Sequence, residues 1–290
     1  MKITGFSFVR NAIKYDYPIV EAVKSILPLC DDFVIAVGKS DDDTLSLVRS
    51  IAPDKVRIVE TVWNDDLRTG GKVLADETNK AFRAIADDTD WCFYIQADEI
   101  IHERYHDEIR RGMQRWKDDE DVDGLLFKYL HFYGSYDYVG TSTQWYPREI
   151  RVVKNDKRIY SYRDAQGFRI GDDEKLKVKE LNAYVHHYGW VKDPRTMQQK
   201  KETFSRLWHN DQYIQEKIAG KEHFNYAQHI DALEKFKGTH PQVIQERIDS
   251  RNWKFDYDTS FNRLTLKERV KQFAEQKLGL NLSYRNYKVI

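Results

Sequence analysis

Strand-like and helix-like segments alternate regularly over the first 100 residues, and this alternation limits the folds that the chain can adopt. Short apolar runs at 3–9, 33–37, 56–59 and 91–95 have the composition of buried parallel strands. The segments between them carry apolar residues at helical spacing, and each begins near a proline, an aspartate cluster or a Gly-Gly pair. This order predicts a Rossmann-like α/β fold with a mostly parallel sheet and helices on both faces.

After residue 100 the chain first adds more strand-like segments and then becomes mainly helical. Strand-like segments recur between residues 124 and 187, and the chain after Pro194 is helical and charged. We therefore expect a first domain over residues 1–190 and a helical C-terminal extension over residues 191–290. No low-complexity linker separates the two parts, so we expect the extension to pack on the first domain.

Charge and cysteine content exclude several classes of protein. The 47 Lys and Arg residues balance the 47 Asp and Glu residues, so the chain lacks the cationic field that wrapping of nucleic acid requires. Its two cysteines are too few for a disulfide framework or a zinc cluster. No apolar run is long enough to span a bilayer. We expect a cytoplasmic protein without an obligate protein partner.

One segment leaves a membrane contact open. Residues 266–278 form a lysine-rich amphipathic pattern. Such a pattern fits a helix that packs on its own domain, and it also fits a helix that lies on a membrane surface. Packing is the commoner case, and a peripheral contact with the inner face of the membrane stays as the alternative.

Polar residues follow the predicted strands. Ligands of open α/β sheets bind at the carboxyl ends of the strands, and those ends here carry Arg10-Asn11 and residues 38–43, 60–66 and 96–99. Asp98 comes directly after the fourth strand, and Mg²⁺ and Mn²⁺ prefer carboxylate oxygens. Asp98 is therefore a candidate metal ligand, with a solvated turn or a helix cap as the alternative.

Other polar residues fit donor binding but also have plain structural roles. Asp41 lies in an aspartate cluster that suits a nucleobase or ribose hydroxyl and equally suits helix capping. Arg68 and Lys72 flank a Gly-Gly pair at a helix start, where a diphosphate can bind. His187 ends a strand-like segment and is a possible metal ligand or a core histidine. Asp164 suits a general base or a turn.

Four segments carry a pattern that goes beyond composition: Phe8-Val9-Arg10-Asn11, residues 32–44, Gly71 through Asn79, and Tyr94-Ile95-Gln96-Ala97-Asp98-Glu99. Together they resemble family 2 glycosyltransferases of the GT-A fold, over about residues 1–190. The ending Val185-His186-His187-Tyr188-Gly189 is similar to a strand whose histidine completes the metal site in several members.

The resemblance implies metal-dependent, inverting transfer of a sugar from a nucleotide diphosphate donor to a hydroxyl of a glycan or lipid-linked acceptor. It implies Mn²⁺ or Mg²⁺ as cofactor, and an aromatic run at 129–138 fits either sugar stacking or a sheet core. Asp164 is the preferred catalytic base and Glu149 the second choice. The implied donor-binding residues are Arg10, Asn11, Asp41, Lys72 and Asp98, and the implied metal ligands are Asp98 and His187.

Rival functions remain at this point. A dehydrogenase or a nucleotidyltransferase would need a glycine-rich loop after the first strand, and Phe8-Val9-Arg10-Asn11 is not one. The remaining rival is a catalytically degenerate relative that binds a nucleotide-sugar or carbohydrate without turnover. This alternative is suggested by Gln96, which stands where the family's metal motif has its first acidic residue.

Overall fold

The computed structural model describes residues 1–67, 69–208, 211–218, 220–230, 232–261, 263–277 and 285–290, and these residues form fourteen β-strands and eight α-helices. The strands are β1 (Ile3–Val9), β2 (Asp32–Gly38), β3 (Val56–Thr61), β4 (Trp91–Tyr94), β5 (Glu99–Ile101), β6 (Gly124–Tyr133), β7 (Tyr138–Gly140), β8 (Arg148–Lys154), β9 (Ile159–Tyr162), β10 (Gly167–Ile170), β11 (Glu174–Lys175), β12 (Lys177–Trp190), β13 (Leu233–Lys235) and β14 (Lys288–Val289). The helices are α1 (Ile19–Ile26), α2 (Thr44–Arg49), α3 (Lys72–Arg83), α4 (His106–Trp116), α5 (Pro194–Ser205), α6 (Asp211–Lys217), α7 (Gln245–Asp249) and α8 (Leu266–Lys277).

The four N-terminal strands lie side by side in the order β3-β2-β1-β4, and all of them run parallel. Beyond β4 the sheet continues through β8 and β6, which pair antiparallel, and β12 then runs parallel to β6. The predicted α/β class is therefore confirmed. The antiparallel return through β8 was not indicated by the sequence pattern, because strand direction depends on the connection between strands and not on their composition.

Helices cover both faces of the sheet, as predicted. In β2, Phe33, Ile35 and Val37 belong to the core cluster that also contains residues of α1, α2 and α4. The alternate residues Val34 and Ala36 belong to the opposite cluster, which contains residues of α3. Side chains of a strand alternate between the two faces, so a continuous apolar run requires a hydrophobic layer on each side.

The C-terminal segment begins where β12 ends. The Asp193 side chain caps α5 by accepting a hydrogen bond from the Arg195 amide at 2.8 Å. Thr203 in α5 bonds the Tyr15 hydroxyl at 2.8 Å, which joins the segment to the loop after β1. The segment also adds β13 to β7 and β14 to β12, so strands as well as helices belong to it. A domain boundary at residue 190 stays a prediction.

A membrane contact also stays a prediction. In the described ranges no helix has both the length and the apolar character that a crossing of the bilayer requires. Three apolar side chains of α8, Leu266, Val270 and Phe273, are 80%, 61% and 59% exposed. Leu278, the last residue of the amphipathic pattern, lies outside the described residues.

A buried ion pair joins β5 to β8. The Glu99 carboxylate accepts hydrogen bonds from Nε and Nη2 of Arg151, each at 2.7 Å, and from the Tyr129 hydroxyl at 2.8 Å. Glu99 is fully buried and Arg151 is 1% exposed. Two charges in a low-dielectric interior are tolerated because each satisfies the other, so removal of one leaves the other uncompensated.

We expect Arg151→Met to lower the free energy of unfolding by about 3–5 kcal/mol, because it leaves the Glu99 carboxylate buried without its cation. Urea denaturation followed by circular dichroism measures the loss. Arg158→Met is the matched control, because it breaks an exposed pair with Asp156 and should cost less than about 1 kcal/mol. Equal losses in the two variants would contradict a structural role for the buried pair.

Candidate functional site

Two adjoining cavities open at the carboxyl ends of the parallel strands, beneath α5. The Asp98 cavity encloses about 520 Å³ and the Asn11 cavity about 320 Å³. Both are lined by Arg10, Trp63 and Phe204, so the two cavities adjoin. The Asp98 cavity is further lined by Tyr17, Gln96, Asp98, His131, Trp145, Tyr146, Asp164, His187, Gly189, Trp190, Lys200, Lys201 and Trp208. The Asn11 cavity is further lined by Asn11, Tyr15, Asp41, Asn64, Val73, Thr203, Arg206 and Leu207.

The two oxygens of Asp98 face different partners. Oδ2 accepts a hydrogen bond from Lys200 Nζ at 3.2 Å, and the same ammonium donates to the Gly189 carbonyl at 2.9 Å. Oδ1 faces His187 Nε2 at 3.7 Å. Burial alone raises the pKa of Asp98, but nearby positive charge, that of Lys200 first, outweighs it and lowers that pKa to about 2. Asp98 is therefore ionised at neutral pH.

Asp98 and His187 fit a divalent cation as a pair of ligands. They present one carboxylate oxygen and one imidazole nitrogen, donor types that Mn²⁺ accepts. Gly189 leaves the space beside them open, because a Cβ there would lie 2.6 Å from His187 Nε2 and 2.9 Å from Asp98 Oδ2. No group of three or more acidic, histidine or cysteine side chains suited to a metal occurs among the residues that the structure describes. Phosphate oxygens of a ligand would have to complete the coordination shell.

The polar neighbours of Asp98 in the segment Gln96-Ala97-Asp98-Glu99 do not offer further metal ligands. The Gln96 amide donates to the Ala165 carbonyl at 3.0 Å and to the Tyr94 hydroxyl at 3.3 Å. Glu99 is bound by Arg151 on both oxygens. The Gln96 contact instead joins the Asp98 loop to the turn that carries Asp164. That turn approaches α3 closely, because a Cβ on Gly71, whose φ is 68°, would lie 2.9 Å from the Asp164 Cβ.

The Asn11 cavity combines aromatic faces with polar groups. Asn11 has a positive φ of 54°, a conformation that asparagine tolerates, and its Oδ1 accepts from the Asp41 amide at 2.8 Å. The Arg10 guanidinium lies 5.3 Å from the centre of the Trp63 ring. Arg10 Nε and Trp63 Nε1 are buried without a hydrogen-bond partner among the described residues. Two unsatisfied donors suit an anionic or carbonyl-bearing ligand.

The fold brings six of the sequence-predicted residues together and leaves two apart. Lys72 is exposed at the start of α3 and lines neither cavity. Glu149 is 5% exposed and also lies outside both linings. Arg68 lies outside the described residues. The functional roles of all these residues stay predictions. The six that converge are Arg10, Asn11 and Asp41 in one cavity and Asp98, Asp164 and His187 in the other.

Sequence reasoning missed the side chains that α5 and its flanks contribute. Lys200 lies 102 positions after Asp98, and no local pattern links the two. Lys192 is fully buried, and burial lowers its pKa to about 7. The ammonium groups of both lysines lie over the Tyr17 ring, at 4.8 and 4.9 Å from its centre. The apolar spacing of α5 predicts a packed helix, but only the packed fold shows that it covers the site.

Comparison with known proteins found no matching family model and no similar curated protein. Among solved structures, S. aureus TarS aligns over 71% of this chain and 39% of its own, at 14% identity and a TM-score of 0.40. TarS residues 1–349 in complex with UDP aligns over 71% and 65%, at 15% identity and a TM-score of 0.38. Glucosyl-3-phosphoglycerate synthase from Mycobacterium tuberculosis, with Mn²⁺, UDP and phosphoglyceric acid, aligns over 45% and 43%, at 19% identity and a TM-score of 0.29.

The chain thus spans less than two thirds of the length of each of these structures. Because every one of these TM-scores is below 0.5, the fold assignment rests on the strand order and the site assignment on the contacts described above. The GT-A arrangement expected from the sequence agrees with the α/β layers observed here. Membership of family 2 stays a prediction.

The buried Glu149 carboxyl should make the free energy of unfolding depend on pH. Burial raises its pKa from the ordinary 4.5 to about 8, so the native state holds a proton that the unfolded state loses. Its contribution to stability is therefore complete below pH of about 4.5 and is lost as pH rises toward about 8. We expect wild type to lose about 1.4 kcal/mol per pH unit relative to Glu149→Gln in that window. Urea denaturation at pH 5, 6.5 and 8 measures this difference, and parallel profiles would show that Glu149 titrates normally.

Proposed function

We propose that this chain is a glycosyltransferase of the GT-A type that transfers a sugar from a nucleotide diphosphate donor to a hydroxyl, with inversion and with a divalent metal. The observation that carries the proposal is the pairing of Asp98 with His187 in a cavity that adjoins the Asn11 cavity through Arg10 and Trp63. One cavity suits a nucleoside and the other suits the diphosphate and the sugar. The acceptor is proposed to be a glycan or a lipid-linked hydroxyl.

The Asn11 cavity supports binding of the nucleoside. Tyr15 and Trp63 present aromatic faces to a base or ribose, and Asn11 and Asp41 present hydrogen-bonding groups. Arg10, whose Nε is unsatisfied, lines both this cavity and the Asp98 cavity, so a diphosphate that spans the two would pass beside it. A guanidinium is well suited to phosphate oxygens, because it offers several donors in a fixed geometry.

Asp98 and His187 would hold Mn²⁺ or Mg²⁺, which offsets the negative charge that develops on the departing diphosphate. The Lys200 ammonium lies beside them, 3.2 Å from Asp98 Oδ2. Two of its three N–H groups are directed to Asp98 and Gly189, which leaves one for a phosphate oxygen. A preorganised ammonium in a partly dry cavity stabilises the leaving group without further reorganisation.

Asp164 is the carboxylate best situated to act as the base. It lines the Asp98 cavity, and burial raises its pKa above the ordinary value, which makes it a better proton acceptor. The acceptor oxygen forms a bond to the anomeric carbon while the bond to the diphosphate oxygen breaks, and the hydroxyl proton passes to Asp164. Glu149 stays the second choice, although a pKa of about 8 keeps it protonated at neutral pH.

Aromatic side chains around the Asp98 cavity suit a carbohydrate acceptor. Trp145, Trp190 and Trp208 line its wall, and aromatic faces pack well against the apolar face of a sugar ring. The alternative is a relative that binds a nucleotide-sugar or carbohydrate without turnover. Gln96 supports that alternative, because its side-chain amide donates to the Ala165 carbonyl and supplies no second carboxylate. Among the described residues of the cavity lining, Asp98 is then the one carboxylate beside His187.

Nucleotide binding is the first test of this function. We expect UDP or GDP to raise the melting temperature in the presence of Mn²⁺ or Mg²⁺ and to lose most of that effect with chelator, since a ligand at 100 times its Kd stabilises by about 2.7 kcal/mol. Asp98→Asn should remove the metal-dependent part of the shift. Asp118→Asn, at an exposed carboxylate that lines neither cavity, is the control. Absence of any shift with wild type would contradict the proposed donor site.

Turnover tests the assignment of the base. We expect Asp164→Asn to lower kcat by about 10²–10⁴-fold, while the nucleotide-dependent thermal shift stays as in wild type. Release of the nucleoside diphosphate from the donor measures kcat. Glu149→Gln is the control, because its side chain is already neutral at pH 7. Full activity of Asp164→Asn combined with loss of activity in Glu149→Gln would reverse the two assignments.

A further inference from the structure

A short chain of hydrogen bonds lies behind His187. His131 and His187 are direct neighbours in the parallel pairing of β6 with β12. Their Nδ1 atoms are 3.0 Å apart, and Nε2 of His131 lies 2.8 Å from the carbonyl oxygen of Tyr146. The chain therefore runs from a backbone carbonyl through two imidazole rings to the cavity.

The direction of these hydrogen bonds follows from the carbonyl at the end of the chain. A carbonyl oxygen accepts and never donates, so Nε2 of His131 must carry a proton. His131 is 3% exposed, and its two ring nitrogens face a carbonyl oxygen and an imidazole, neither of which is an anion. A buried cation without an anionic partner is unfavourable, so the ring carries a single proton. Nδ1 of His131 is then an acceptor, and Nδ1 of His187 must donate to it.

In its neutral form, which is the form that binds a metal, the His187 ring holds its one proton at Nδ1 and keeps a lone pair on Nε2. The lone pair faces Oδ1 of the ionised Asp98 across 3.7 Å. Two electron-rich atoms at this distance repel each other, and a cation bound to both removes that repulsion. The second oxygen of Asp98 is held by Lys200, which leaves Oδ1 as the oxygen directed at His187.

The His131 ring is held in place by its neighbours. It stacks on Tyr129 with 5.3 Å between ring centres and on Trp145 with 5.1 Å. Both contacts fix the plane of the ring, and the sheet pairing fixes its distance from His187. A donor or acceptor that cannot rotate away imposes its hydrogen-bond polarity on its partner.

We infer that His131 is a positioning residue that sets His187 in the tautomer with a free Nε2 and thereby creates, with Asp98 Oδ1, a site for a divalent cation. This inference rests on the proposed function, because the cation is the metal that the donor diphosphate would share. His131 itself binds neither metal nor substrate in this role. It acts through the ring of His187, and ligand orientation by an outer hydrogen bond contributes about 10–100-fold in metal affinity.

Two variants separate this role from simple packing. His131→Gln keeps both functions of the ring, because its amide oxygen accepts from His187 Nδ1 and its amide nitrogen donates to the Tyr146 carbonyl. His131→Phe keeps the aromatic packing against Tyr129 and Trp145 but removes the acceptor. Melting temperatures of both variants, measured without metal, establish that each is folded.

Titration with Mn²⁺, followed by the EPR signal of the free ion with and without UDP, measures the affinity. We expect His131→Phe to bind Mn²⁺ about 10–100-fold more weakly than wild type and His131→Gln to bind within a few-fold of it. Nitrogen-15 NMR of the histidine rings in the metal-free wild type should show a protonated Nδ1 and an unprotonated Nε2 for His187. His187 protonated at Nε2 would overturn the inference directly, even if neither variant folds.

The outcomes distinguish this inference from the proposed function. Equal Mn²⁺ affinities in wild type and in a folded His131→Phe would overturn the role of His131 and leave the transferase proposal standing. Failure of wild type to bind Mn²⁺, with or without UDP, would overturn the inference together with the metal dependence of the proposed function. In that case a thermal shift with UDP or GDP that is equal with metal and with chelator would keep the donor site, and absence of a shift in both would overturn it.

Discussion

The buried pair of Glu99 and Arg151 is the interaction on which the site depends. It lies at the first residue of β5, directly after the loop that carries Asp98. The same carboxylate accepts a hydrogen bond from the backbone N–H of Gln96 at 3.1 Å, so the loop is held at both ends by one charged group. A charge buried in this way is stable only with its partner in place. The position of Asp98 is thus tied to β8, more than 50 residues further along the chain.

The second structural requirement is the cover that α5 provides. The carboxyl ends of β1, β4 and β12 alone would form an open edge, with Asp98 in contact with water. Helix α5 closes that edge with Phe204 and directs Lys200 at Asp98. Removal of water strengthens the interactions among these charges. Asp98 can therefore stay ionised in a buried place because the Lys200 ammonium lies 3.2 Å from its carboxylate.

The sequence predicted much of the fold because its signals are local. A few consecutive residues suffice to predict each of the strands β1 to β4 and the start of α3 after its glycine pair. The candidate site was predictable where a residue follows such a strand, as Asp98 and Asn11 do. It was less predictable at Glu149 and Lys72, whose side chains line neither cavity. The direction of a side chain in β8, or around the first turn of α3, depends on packing partners that are distant in sequence.

Period and composition encode directly the alternation of elements, the parallel strands and the polar residues at their carboxyl ends. The choice of partners among those polar residues was made by the packing of distant elements. Gln96 bonds the Ala165 carbonyl and Glu99 pairs with Arg151. Asp98 instead lies beside His187 and Lys200. The physical reason is that a buried charge or ring nitrogen takes its chemical state from the groups within hydrogen-bond distance. Those groups come from β6, β12 and α5, which only the completed fold brings together.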